Sequence, residues 1–426
     1  MISNKPELSR QIRETINVDR IGRRLDDLEA IGQTSEGGVT RLAYTEEENE
    51  AHEYILNQLP DDYKVTIDSI GNIFATRDPD SDHSTLTGSH LDSVQNAGRL
   101  DGTLGVVISL EAVEAFHRVV ENPELPPTLV IFRAEESSRF GQHTIGSKAA
   151  LGKLNREILS ATDKKGVPVW QAMKNAGFQP NDLSEPTLDF NRITNFFEVH
   201  IEQGPVLEAK EKNVGIVSSI RAPVRYRVTI DGKYDHSGAT SMNLRNDALA
   251  GASEMIHAIE TVAVEASQIG DVVATVGDIE SVEGAINKVC GKVKFPIDIR
   301  SDSLSFRKKV EAEILDQIRL ISNRREIATH IDQIDESDPV ELSESIRQTL
   351  LKSAEETGCD YCVLPSGGGH DAMNFQLEGI PTGLLFVPSI EGISHNPAEE
   401  TTTEGIEEAT ETLVNTLVTL EQQHQA

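Results

Sequence analysis

The sequence predicts an α/β protein: a catalytic domain built on a mostly parallel sheet, with a ferredoxin-like domain inserted into it. Three observations carry this. Apolar strand-like runs alternate with amphipathic helical stretches towards both ends of the chain. Between 222 and 336 the order changes to β-α-β-β-α-β, the split pattern of ferredoxin-like units. Short words rich in histidine and acid lie at or near the ends of the apolar runs, where open α/β sheets place their ligands.

The elements follow in order. Residues 7–31 space Leu8, Ile12, Ile16, Ile21, Leu25 and Leu28 as one amphipathic helix, and a second helix is expected over 46–58. Strands are predicted at 64–67, 72–75 and 85–87, a helix at 105–120, and strands at 128–132 and 195–201. The middle reads as strand 226–230, helix 247–266, strands 271–276 and 293–299, helix 304–322 and strand 327–333. Helix 341–357, strand 381–387 and a helix from about 403 complete the chain. The expected division is a catalytic domain of 1–221 and 337–426, with the insert at 222–336.

Composition narrows the function. Of 426 residues, 39 are Lys or Arg and 70 are Asp or Glu, a formal net charge of −31. Such a charge argues against nucleic acid and anionic membranes as partners. No apolar run of about 18 residues exists to span a membrane. The polar start, Met1-Ile-Ser-Asn-Lys-Pro, lacks the apolar stretch of a signal peptide, so a cytoplasmic location is expected. The acids are dispersed rather than gathered in a tail. They read as a solvated surface or, more sharply, as adaptation to a saline cytoplasm whose ions screen the self-repulsion. The saline reading predicts a melting temperature that rises with salt; one indifferent to salt would count against it. Cys359-Asp-Tyr-Cys362 is a lone CxxC, and with Cys290 it is read as reduced structural thiols rather than a zinc or redox site.

The chemistry lies in five words: Gly88-Ser-His-Leu-Asp92, Gly98-Arg-Leu-Asp-Gly102, Glu135-Glu136, Glu198-Val-His-Ile-Glu-Gln203 and Ser394-His-Asn-Pro397. In extended chain His90 and Asp92 point to one face, so Asp92 can fix the imidazole and leave its other nitrogen for a metal. Asp101, before a helix, is either an N-cap or a carboxylate bridging two metals. Adjacent acids Glu135 and Glu136 at the end of a buried strand would repel each other unless a dication relieved the cost. Alternation puts Glu198, His200 and Glu202 on one face, and His395 lies in a loop beside a strand. Imidazole suits zinc, while carboxylate also suits manganese or magnesium. Jointly the words point to metal-assisted hydrolysis.

These stretches, with Glu135-Glu-Ser-Ser-Arg-Phe-Gly141, His200-Ile-Glu-Gln-Gly-Pro-Val-Leu-Glu208, Asp235-His-Ser-Gly238, Ser366-Gly-Gly-Gly-His-Asp-Ala372 and Phe386-Val-Pro-Ser389, resemble the dinuclear-metal amidohydrolases of the aminoacylase and carboxypeptidase superfamily. The likeness is to the N-carbamoyl-L-amino-acid hydrolase, β-ureidopropionase and allantoate amidohydrolase branch, and it covers nearly the whole chain. It implies two divalent ions per subunit, zinc foremost, with manganese, cobalt or nickel also fitting. His90, Asp101 and His200 would hold one ion; Asp101, Glu136 and His395 the other. Glu135 would be the general base and Asp92 the partner of His90. Gln203 would line the substrate site, His236 would polarise the substrate carbonyl, and Asn287 and Arg300 would grip the substrate carboxylate, with Arg225 a lesser candidate. The partner implied is a small ureido or amide carboxylate, and the assembly a homodimer formed through the insert. An aminoacylase or exopeptidase activity on N-acyl amino acids is the nearest rival; a non-catalytic relative would have lost ligands that stand here. Tyr234-Asp-His-Ser-Gly-Ala-Thr-Ser-Met242 and Asn287-Lys-Val-Cys-Gly291 depart from the family pattern, which bears on substrate preference more than on catalysis.

Overall fold

The protein is described by a computed structural model covering residues 5–180 and 186–425; the polar opening at 1–4 lies outside the described residues. Strands β1 (Lys64–Ile67), β2 (Ile73–Thr76), β3 (Ser84–His90), β4 (Pro127–Phe132), β5 (Ile193–Ile201) and β6 (Val214–Ile220) come first. They are followed by β7 (Ala222–Asp231), β8 (Asp235–His236), β9 (Val273–Thr275), β10 (Glu280–Ser281), β11 (Lys288–Val289), β12 (Lys292–Ser301), β13 (Ala328–Glu336) and β14 (Val340–Glu341). Last come β15 (Tyr361–Ser366) and β16 (Thr382–Val387). Contacts divide the chain into two compact units, Met1–Ser218 with Leu342–Ala426, and Ser219–Glu341.

In the first unit the strand order is β1-β2-β4-β3-β5-β16-β6, with β15 beside β6. The central four, β4-β3-β5-β16, are parallel, and the flanking β2 and β6 join antiparallel. Parallel strands are covered on both faces and read as continuous apolar runs. Accordingly β4 (PTLVIF) and β16 (TGLLFV) are buried at every position. The helix Thr103–Val119, between β3 and β4, is itself buried from Thr103 to Phe116, held between the sheet and outer helices that include Val18–Ala30 and Thr403–His424. Gly105 permits this: a Cβ there would come 1.9 Å from the Val199 carbonyl oxygen of β5. Parallel strands send their C-terminal ends to one edge, so the residues that end β3, β4, β5 and β16 are brought together.

One expectation fails locally. Residues 7–31 form two helices, Lys5–Thr15 and Val18–Ala30, not one. Asn17 caps the second, its Oδ1 accepting the Arg20 N–H at 2.9 Å, and its own N–H donates to Glu111 Oε1 at 2.9 Å. The apolar spacing runs through the break because both helices bury the same side on the same core.

The second unit is an antiparallel sheet ordered β10-β12-β7-β13, with β9 also on β12. Burial alternates along β7 and β12, as expected of a sheet with one covered face. Helices Ala248–Ser267 and Leu304–Arg325 pack on it over Val228, Ile230, Met255, Ile259, Phe295, Ile297 and Ile314. The βαββαβ order is present, with β8 and β11 added as a separate ladder. The unit begins at Ser219 and ends at Glu341, wider than 222–336, because β14 pairs Val340 with Ile220 and Glu341 with Ser219. That pairing also delays the next helix to Glu344. Among the described residues no helix is long and apolar enough to cross a membrane.

Candidate active site

His90 is the last residue of β3, His200 the next to last of β5, and Glu135 and Glu136 lie just beyond β4. Asp101 stands before the helix Thr103–Val119, whose N-cap is Gly102; the Asp101 carboxylate does not cap it. It faces imidazoles instead. Asp101 Oδ1 lies 3.6 Å from His90 Nε2 and 3.3 Å from His200 Nε2, and its Oδ2 lies 3.3 Å from His395 Nε2. His395 Nε2 is also 3.3 Å from Glu136 Oε1. Two sets of three donors result, His90–Asp101–His200 and Asp101–Glu136–His395, with the donor atoms of each set within 4.8 Å of one another. Gly102, at φ +64°, allows this approach, since a Cβ there would sit 2.3 Å from the His90 ring.

The donor chemistry fits divalent ions. His90 Nδ1 lies 3.0 Å from the Asp92 carbonyl oxygen, and His200 Nδ1 3.0 Å from the Ile201 carbonyl oxygen. Each Nδ1 therefore carries its proton to a carbonyl, which makes each Nε2 the nitrogen that could meet a metal. Burial alone would raise the Asp101 carboxyl, but His200, His395 and His90 hold it well below the usual range. The same neighbours Asp101 and Glu136 push His395 up to about 10. Carboxylates and imidazole nitrogens crowded in this way are the ligands of zinc and its neighbours.

Glu135 belongs to neither set. It is buried, and burial first, then Glu136, Asp371 and Asp92, raise its carboxyl well above the usual range against the pull of His90. Its Oε2 lies 3.9 Å from His90 Nε2. The Asp92 carbonyl oxygen, rather than its carboxylate at 3.5 Å, takes the His90 Nδ1 proton; the carboxylate Oδ1 accepts the Glu135 N–H at 2.9 Å and Oδ2 the Glu136 N–H at 3.0 Å. One carboxylate thus fixes the backbone of both acids. Gln203, at φ +58°, places Nε2 2.6 Å from Asp101 Oδ2.

The other substrate candidates lie in the second unit. His236 on β8 is exposed, and its Nδ1 accepts the N–H groups of Gly238 and Ala239, both at 3.1 Å. Asn287 adjoins it, with its carbonyl oxygen accepting the Ser237 N–H at 3.0 Å. Arg300 on β12 closes its fork on Asp298 at 2.9 and 3.1 Å, and Arg225 shares that carboxylate at 2.9 Å. Sequence reasoning gave no role to His370, buried edge-on to His200 with ring centroids 4.6 Å apart, or to Glu399, a buried carboxylate that accepts the Leu100 and Asp101 N–H groups. His370 stood within a quoted word; Glu399 had no signal beyond being one acid among many.

Two sets of three donors that share the Asp101 carboxylate, with the buried Glu135 beside them, could hold a pair of divalent metals. The chain belongs to peptidase family M20/M25/M40, a family of dinuclear metal hydrolases, whose profile matches residues 86–419. It is 36% identical to the N-carbamoyl-L-amino acid amidohydrolase of Geobacillus stearothermophilus, over 96% of this chain and 99% of that one. It is 33% identical to the allantoate amidohydrolase of Escherichia coli, over 91% and 94%. Among solved structures it resembles an amidase of the hydantoinase/carbamoylase family from Burkholderia multivorans, with a TM-score of 0.87 at 30% identity, covering 95% of this chain and 98% of that one.

Proposed function

We propose that this enzyme hydrolyses the carbamoyl C–N bond of N-carbamoyl-L-amino acids or a closely related ureido acid. One water is consumed, and ammonia, carbon dioxide and the amino acid are released. The observation that carries the reading is Asp101, shared between two donor sets, with the protonatable Glu135 beside them. His90, Asp101 and His200 would hold one divalent ion and Asp101, Glu136 and His395 the other, zinc foremost; bound ions would supply Lewis acidity and ease deprotonation of the attacking water.

This chain's own residues do the rest. Glu135 accepts the proton of that water and returns it to the leaving nitrogen. Asp92 holds the Glu135 backbone in place. His236, whose Nδ1 is an acceptor, has its proton on Nε2 and can donate it to a substrate carbonyl oxygen. Gln203 lines the site, and the Asn287 amide is assigned to the substrate carboxylate. So is Arg300, which would exchange Asp298 for that carboxylate; a planar guanidinium recognises it in a way a lysine does not. The inserted unit is assigned to pairing two copies.

The test is a substrate panel with protein reconstituted in zinc, manganese, cobalt or nickel. Ammonia release from N-carbamoyl-L-amino acids is expected. Release from allantoate alone would move the substrate within the branch. Cleavage only of N-acyl amino acids or dipeptides, or no ammonia with any metal, would overturn the proposal.

A further inference from the structure

Two of the loops that carry ligands are joined by a contact between residues some 300 positions apart. Glu399 lies four residues beyond His395 and is 2% exposed. Its Oε2 accepts two consecutive backbone N–H groups, that of Leu100 at 2.8 Å and that of Asp101 at 3.1 Å. Its Oε1 is buried and has no partner. Gly98 makes room for it: a Cβ there would come 2.3 Å from Glu399 Cβ and 2.4 Å from Oε2. The same loop is constrained at its other end, where His395 adopts φ +55° and Ser394 Oγ donates to Asp101 Oδ2 at 3.2 Å. A histidine held in left-handed backbone needs surroundings that determine it.

From this geometry we propose that Glu399 is a positioning residue. Through one carboxylate oxygen it pins the His395 loop to the backbone of Asp101, and so sets the spacing of those two ligands. The inference rests on the metal-centre reading above. It also specifies what Glu399 must supply, which is an acceptor at the right reach, because a single oxygen takes both donors and the other takes none. A neutral amide of the same length can do this. A carboxylate one methylene shorter cannot reach.

The test is calorimetric titration of zinc into metal-free, full-length protein, well below its melting temperature. Glu399→Ala is expected to weaken zinc binding by about 10- to 100-fold, the usual effect of removing an outer partner of a ligand. Glu399→Asp should follow it, and Glu399→Gln should bind as the unaltered protein does. Gly98→Ala, which crowds the carboxylate without removing it, should also weaken binding; it and Glu399→Asp carry the comparison if Glu399→Ala does not fold. A merely structural role would lower the melting temperature of Glu399→Ala and leave zinc affinity alone, and that result would overturn the proposal. So would a Glu399→Gln protein as weak as Glu399→Ala. Unaltered protein that takes up no zinc would remove the metal reading and this inference with it; equal uptake by every variant removes the inference alone.

Discussion

Glu135→Gln is expected to lose about 10²- to 10⁴-fold in turnover of an N-carbamoyl-L-amino acid, the usual contribution of a positioned general base, while its metal uptake stays at the level of the unaltered protein. The two halves of this result come from separate features. Glutamine has nearly the shape of glutamate but cannot take a proton, so it can neither activate the water nor deliver a proton to the leaving nitrogen. Metal uptake persists because Glu135 is in neither donor set, and the backbone N–H that Asp92 receives from it is unchanged by the substitution. Initial rates and metal content, measured on the same samples, read both halves. Turnover within a few-fold of the unaltered protein would remove Glu135 from its assigned role.

Glu111→Ala is expected to destabilise the first unit by about 3–5 kcal/mol, the usual cost of breaking a buried ion pair by removing one partner. Glu111 is fully buried in the middle of the helix Thr103–Val119. It accepts the Asn17 N–H at 2.9 Å and two bonds from Arg20 at 2.8 and 2.6 Å, and Arg24 approaches it at 3.4 Å. Arg24 is buried too, and would keep only Glu114, at 2.7 Å. Alanine leaves a cavity, an unsatisfied N–H and two guanidinium groups that share Glu114 alone, Arg24 at 2.7 Å and Arg20 at 3.6 Å. The shift in the denaturant midpoint of the first unit measures the loss. A cost below about 1 kcal/mol, the range of exposed pairs, would show that Arg20 and Arg24 turn to solvent instead. The network matters to the site because the helix begins one residue after Gly102, directly behind Asp101.

How far the sequence reached differs by residue. The strands β4 and β16 were legible because parallel strands must be apolar throughout. The insert was legible because its sheet has one covered face and alternates. The convergence of His90, Asp101, Glu136, His200 and His395 was expected from the joint presence of the words and from a known pattern, and the structure brings these side chains together. The single helix over 7–31 was misread because periodicity follows the buried face and does not register a cap. Asp101 remained an N-cap or a bridge until the positions of three imidazoles were known. Arg300 was expected to grip a substrate carboxylate, and only the fold shows its fork on Asp298.

By itself, then, the order of residues determined which segments are strands and helices and which polar side chains stand at strand ends, because spacing along a chain decides which face of an element is apolar. Only the folded chain decided which of the 70 acids are buried, and what each of them holds. Glu111 and Glu399 look like any surface acid in the sequence. A buried carboxylate is defined by the N–H groups and guanidinium groups that satisfy it, and those arrive here from positions 43 to 299 residues away.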